Sequence, residues 1–235
     1  MAETLLELDD VHTYIGQHHI LQGVTLAVRR DAVTVLLGRN GAGKTTTMRT
    51  IVGLLQPARG SIRLEGRPIH GLKPYEIARR GIGFVPEGQG IFATLTVDEN
   101  LRLARLGDDA EAHARLARVL ELFPDLERFR AARAGTLSGG QKQMLSIARA
   151  LVNPNRLLLV DEPSKGLAPI VIEHLVEALR AMKAHATVLL VEQNFAMAQA
   201  LADDFYLIDD GRTVHHGPMA ALVADDALKK RYLGI

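Results

Sequence analysis

The chain of 235 residues contains no cysteine. Disulfides, thiolate metal sites and a thiol nucleophile are therefore excluded. The same lack fits a reducing compartment. The chain also has no excess of one charge: 28 Lys and Arg stand against 27 Asp and Glu, a formal net charge of +1. No basic stripe marks a nucleic-acid surface, and nucleic acid is not an expected partner. Long apolar runs are missing as well, since none reaches the ~18 residues of a membrane-spanning helix. The opening MAETLLELDD has neither the basic flank nor the apolar core of a secretory signal. The expectation is a soluble cytoplasmic protein, held at a membrane only by another subunit.

What is present is ordinary for a folded domain: 47% hydrophobic and 23% charged residues. The segments LLELDDV, HILQGVTLAV and AVTVLLG read as strands, the third apolar enough to be covered on both faces. GAGKTTTMRTIVGLL reads as a helix, GSIRLEGRPI as a hairpin, KPYEIARR as a short helix and GIGFVPE as a buried strand. TVDENLRLARL opens on a capping box from Thr96 to Glu99, and AEAHARLARVLELFPDLERF is an amphipathic helix ending near Pro124. RLLLVDE and TVLLVEQ read as strands, PIVIEHLVEALRAMKAH and NFAMAQALADD as helices. FYLIDDGRTVHHG is a hairpin turning at Asp210-Gly211, and the tail from Ala220 is helical. Strands alternating with helices predict a parallel sheet covered on both faces. The hairpins predict a separate antiparallel patch. No repeat or flexible linker divides the chain, so one domain over 1–235 is expected. An all-helical insertion is expected at about 92–150.

GRNGAGKTT, from Gly38 to Thr46, matches the phosphate-loop pattern between an apolar strand and a helix. Gly38, Arg39, Asn40, Gly41, Ala42, Gly43, Lys44, Thr45 and Thr46 are candidate nucleotide contacts. Glycines let backbone N–H groups converge on phosphates, and the helix dipole adds to them. Lys44 is expected to reach the β and γ phosphates and the Thr45 hydroxyl to ligate Mg²⁺. RLLLVDEP then carries Asp161 and Glu162 to the C-terminal tip of a buried strand, where parallel sheets bind ligands. Asp161 is a candidate Mg²⁺ ligand. Glu162 is the candidate base for an attacking water, a role worth ~10²–10⁴-fold in rate.

TLSGGQKQMLSIARA poses a question, because its helix opens on two glycines, poor helix formers. Its apolar face is expected to carry Met144, Leu145, Ile147 and Ala148. Ser138 is a good N-cap and Gln141 completes a capping box. The glycines leave amides and a positive dipole end bare, worth up to ~2 kcal/mol toward an anion. A second copy, turned head to tail, could present its ATP to this helix. A plain N-cap with incidental glycines is the alternative. No Asn/Thr-Lys-x-Asp string for guanine is present.

With LSGGQ at 137–141, the chain resembles the ATP-binding cassette ATPases along essentially its whole length. The resemblance implies an α/β P-loop NTPase (RecA-like) core with a parallel sheet, an antiparallel β subdomain and an inserted helical subdomain. It implies ATP and Mg²⁺ as cofactors. Ser138, Gly139, Gly140 and Gln141 would contact ATP held by a partner subunit. Tyr14 would stack on adenine, and PSKGLAP, with a sharp turn at Gly166, would lie where two subunits meet. The implied partners are a second cassette ATPase, identical or a sister chain, and transmembrane permease subunits. A periplasmic binding protein is implied indirectly. The implied place is the inner face of the cell membrane.

Two positions depart from the family pattern. Glu87 in VPEG stands where most members have a Mg²⁺-sensing Gln, and Gln89 lies two residues on. Gln193 in VEQN stands where most have a His near the γ-phosphate, and Gln cannot relay a proton at neutral pH. Chemistry is then expected to lean on Glu162 and Lys44, with Gln193 reading geometry. These departures, with DEPSKGLAP and the final YLG, resemble the second ATPase of branched-chain amino-acid importers. Urea and amide importers have close relatives, and export of lipid or lipopolysaccharide and a non-transport cassette switch are further alternatives. The pairs His18-His19 and His215-His216 read as ordinary strand residues, since neighbours on a strand face opposite ways.

Overall fold

In the computed structural model, residues 3–183 and 186–235 are described. Chain order begins with β1 (Thr4–Ile15), β2 (His18–Arg29), β3 (Val33–Leu37) and α1 (Lys44–Ile51). Then come β4 (Arg59–Leu64), β5 (Arg67–Pro68), α2 (Pro74–Arg79) and β6 (Ile82–Val85). The helical stretch holds α3 (Val97–Ala104), α4 (Ala110–Leu122), α5 (Pro124–Arg128) and α6 (Gly139–Leu151). The remainder is β7 (Leu157–Asp161), α7 (Pro169–Lys183), β8 (Thr187–Val191), α8 (Phe195–Leu201), β9 (Asp204–Asp209) and β10 (Arg212–Pro218). Short helices α9 (Met219–Ala224) and α10 (Asp226–Leu228) and a wide turn at Lys229–Leu233 end the chain. The helix expected over PIVIEHLVEALRAMKAH forms through Lys183. Its last two predicted residues, Ala184 and His185, lie outside the described residues.

Two sheets form. The antiparallel one runs β2-β1-β4-β5, and the other runs β10-β9-β3-β8-β7-β6. In the second, β9, β3, β8, β7 and β6 are parallel neighbours. The hairpin of β9 and β10 does not join the antiparallel patch. β9 pairs parallel with β3, and β10 forms an antiparallel edge beyond it. β6 is the opposite edge, so its Gly83 and Phe84 are only half-buried where full burial was expected.

Strand parity explains the continuous apolar runs. Val33, Val35, Leu37, Leu158, Val160, Val188 and Leu190 face one cluster, shared with α6, α7, α8 and the helical stretch. Leu36, Leu157, Leu159, Leu189 and Val191 face the other, shared with α1 and the antiparallel sheet. Alternate residues of one strand thus fill two different cores.

Local signals set the ends of the helices. Thr96 accepts from the Glu99 backbone N–H, while the Glu99 carboxylate accepts from the Thr96 N–H at 2.7 Å. Asp109 caps α4 through the Ala112 N–H at 2.7 Å. Pro124 stops α4 and starts α5 at its first turn, where a missing N–H costs nothing. On α6 the buried face differs from expectation: Met144 is half-buried, while Gln143 and Ser146 are buried beside Leu145, Ile147 and Ala148. No helix among the described residues is long and apolar enough to cross a membrane.

Candidate functional site

The loop after β3 is built by close approaches. An ideal Cβ on Gly38 would lie 2.2 Å from the Ile208 carbonyl of β9, so only glycine fits there. Gly43 caps α1 at φ 109, and a Cβ there would meet Leu21 at 2.9 Å. The Ala42 carbonyl accepts from the Gly211 N–H at 2.9 Å, which ties the loop to the β9–β10 turn. Gly41, Asn40 and Arg39 are exposed, and Arg39 donates to the Arg231 carbonyl at 3.2 Å. Thr46 is half-buried, with its carbonyl accepting from Thr50 at 2.8 Å.

Lys44 is buried, with Nζ donating to the carbonyls of Gly38 at 2.9 Å and Arg39 at 3.0 Å. Burial lowers its pKa, against the opposing pull of the Glu162, Asp161 and Glu192 carboxylates. Thr45 donates to Asp161 Oδ1 at 3.1 Å. Burial pushes the Asp161 carboxyl up to about 6, although the Thr45 bond works the other way. Two hard oxygen donors thus meet at a carboxylate short of positive charge. That chemistry fits a Mg²⁺ ion, which such oxygens hold together with phosphate and water.

Glu162 sits at φ 46, a left-handed conformation uncommon for a side chain of its kind. Its N–H is held by the Val191 carbonyl at 2.9 Å. Its carboxylate is 3.8 Å from Lys44 Nζ and 3.7 Å from Lys165 Nζ. Gln193 Nε2 donates to Glu162 Oε1 at 2.5 Å and to Asn40 Oδ1 at 2.6 Å. One amide therefore bridges the phosphate loop and the candidate base.

Glu87 and Gln89 part company in the structure. Glu87 pairs with Lys165 at 2.6 Å. Gln89 turns away, at φ 61, and donates to the Gly139 carbonyl at 3.3 Å. Its own carbonyl accepts from Ser146 on α6 at 2.5 Å. Glu87 is thus the one facing the carboxylate cluster, through Lys165. Gly166 takes φ +73 in open space, which supplies the sharp turn expected of PSKGLAP.

Sequence reasoning missed two residues here. Lys165 gave no signal, because its partner Glu87 lies 78 positions away. Glu192 was passed over beside Gln193. It is buried and accepts from the Ser164 N–H and hydroxyl at 3.0 and 2.9 Å, and from the N–H groups of Gln193 and Asn194 at 3.0 and 3.1 Å. Burial raises its pKa despite these bonds. It fixes the loop bearing Gln193 against the loop after β7. A carboxylate after a strand of four consecutive apolar residues, before Gln-Asn, was the available signal.

Ser138 caps α6 as expected: its hydroxyl accepts from the Gln141 N–H at 3.3 Å, and Gln141 Oε1 accepts from the Ser138 N–H at 3.0 Å. The two glycines differ in purpose. A Cβ on Gly139 would meet nothing within 4 Å, while one on Gly140 would strike Val171 of α7 at 2.5 Å. Gly140 is bare for packing inside the chain, and Gly139 is bare toward the outside. No hydrogen bond among the described residues joins Ser138–Gln141 to the phosphate loop. Gln141 instead donates to Asp125 at 3.1 Å. Tyr14 also stands apart from the network, 46% exposed at the end of β1.

A family model described as ABC transporter matches residues 21–165. The chain is 44% identical over 232 residues to the high-affinity branched-chain amino acid transport ATP-binding protein BraG of Pseudomonas aeruginosa, covering 98% of this chain and 100% of that one. It is 36% identical over 220 residues to the probable branched-chain amino acid transport ATP-binding protein LivF of Archaeoglobus fulgidus, covering 92% and 93%. The fold is similar to a dimeric structure of a bacterial ABC transporter cassette, with TM-score 0.80 and 26% identity, covering 92% of this chain and 99% of that one. The chain belongs to the ABC transporter family, as an ATP-hydrolysing subunit.

Proposed function

We propose that this chain is the motor subunit of an importer for branched-chain amino acids. The observation that carries the reading is its full-length similarity, at 44% identity, to BraG, whose name states that role. The chain works as one cassette domain over 1–235, with a helical subdomain at about 92–150. Lys44 and the amides of Gly38–Thr46 hold the ATP phosphates, and Tyr14 takes the adenine. Thr45 and Asp161 would hold Mg²⁺, joined by Glu87 when it parts from Lys165, and the ion would supply positive charge against the phosphates. Glu162 accepts the proton of the attacking water, and Gln193 reports the position of the γ-phosphate to Asn40 and Glu162.

Ser138, Gly139, Gly140 and Gln141 close over ATP bound by a second cassette, so that ATP joins two subunits and hydrolysis parts them. In the importer the second cassette is a sister chain. A cleft of about 460 Å³ between β6 and the helical stretch, lined by Leu54, Ile77, Phe84, Leu106 and Arg149, grips a cytoplasmic helix of the permease. On this reading the chain sits on the inner face of the membrane, driven indirectly by a periplasmic binding protein.

Purification of the intact complex tests this. The expected result is copurification with two permease chains and a sister cassette, with ATPase activity stimulated by leucine-loaded binding protein. Stimulation by urea or an amide instead, or copurification with an exporter, would overturn the cargo assignment. Copurification with no membrane subunit would overturn the motor role.

A further inference from the structure

Tyr14 is the last member of a chain of side chains on one face of the β1–β2 hairpin. His19, its cross-strand partner, lies flat beneath it with ring centroids 4.2 Å apart and planes 7° apart. His19 Nε2 is 3.1 Å from His12 Nδ1. His12 Nε2 is 3.0 Å from Asp10 Oδ1, and Asp10 Oδ2 is 3.0 Å from Arg59. A carboxylate only accepts, so His12 donates Nε2–H to Asp10. In the neutral imidazole of His12, Nδ1 then accepts from His19 Nε2–H. The direction of each bond follows from the one before.

The backbone is shaped to permit this. The pairing of β1 slips between Leu8 and Val11, and Asp10 takes φ 47 in that irregularity. The bulge turns its carboxylate toward His12. A Cβ on Gly23 would come within 3.0 Å of Asp10 Oδ1. Bulges that re-aim a side chain are common beside binding sites.

We infer that His19, held by His12 and Asp10, is a positioning residue that fixes the Tyr14 ring in place before the base arrives. It covers one face of the phenol and leaves the other for adenine. An offset-stacked ring held in advance spares the ordering cost of one side chain on binding. The inference rests on the assignment of Tyr14 to adenine.

Equilibrium binding to the full chain tests it, in a Glu162→Gln background so that ATP persists. The probes are ATP and inorganic tripolyphosphate, which has no base. His19→Ala is expected to weaken ATP about fivefold, the cost of ordering one side chain. Tripolyphosphate affinity is expected to hold. His19→Phe, which keeps a ring but no N–H, is expected to fall between wild type and His19→Ala. Tyr14→Ala with His19→Ala is expected to bind ATP no more weakly than Tyr14→Ala alone. The role of His19 is overturned if His19→Ala binds ATP like wild type, weakens tripolyphosphate equally, or adds its loss to that of Tyr14→Ala. ATP affinity unchanged in Tyr14→Ala would overturn the adenine assignment itself, and His19 with it.

Discussion

Asp161 and Glu192 are carboxylates the fold keeps out of water, and pH should expose that. The Asp161 carboxyl titrates near 6 in the folded chain against 3.8 for its ordinary value. Between those values the folded state holds a proton that the unfolded state lacks. Stability from this group is therefore greatest at the acid end of the window and falls as pH rises through about 6. The nucleotide-free protein is expected to gain melting temperature from this source between pH 7 and 5, and Asp161→Asn to lack that part of the gain. An identical pH profile in both would contradict it. Glu192→Ala leaves four donors without their acceptor and is expected to cost about 2–4 kcal/mol in urea unfolding, with turnover falling as Gln193 loses its place. Lys44→Ala is expected to lose most nucleotide affinity in a binding titration, and unchanged binding would mean the loop does not hold phosphate. The phosphate loop and the strand-end acids were legible because spacing along the chain dictates their geometry. Lys165 and Glu192 were not, because their meaning lies in partners that only folding brings near.

The start of α6 shows how one element answers two demands. Gly140 faces Val171 inside the chain, and Gly139 faces out. Gly140→Ala is expected to destabilise by about 1–3 kcal/mol through overpacking. Gly139→Ala fits, removes a poor helix former and is expected to leave the melt unchanged or slightly raised. Its ATPase turnover should nonetheless fall, because the added methyl would stand on the surface proposed to meet a second subunit. Melts and turnover measured together check both, and full activity in Gly139→Ala would mean that this face meets nothing. The string LSGGQ disclosed the bare helix start but not that its two glycines differ, since Val171 belongs to another helix. Element types elsewhere were readable from period and caps, as at Thr96 and Pro124. The placement of the β9–β10 hairpin was not, because its partner strand, β3, lies far back in the chain.

At the scale of the whole molecule, the candidate site is divided. Thr45 is bonded to Asp161, and Lys44, Glu162, Gln193 and Asn40 are linked by hydrogen bonds and a close ion pair, while Ser138–Gln141 bonds to neither group. On the proposed function, a second cassette is therefore needed to complete the triphosphate pocket. The absence of cysteine makes this testable, since introduced thiols have no native competitors. The decisive measurement is oxidative cross-linking of Asn40→Cys with Ser138→Cys, placed on separate copies in a Glu162→Gln background. An intermolecular disulfide is expected to form with ATP and Mg²⁺ and to fail to form with ADP or without nucleotide. No cross-link with ATP, or the same cross-link without it, would contradict the claim.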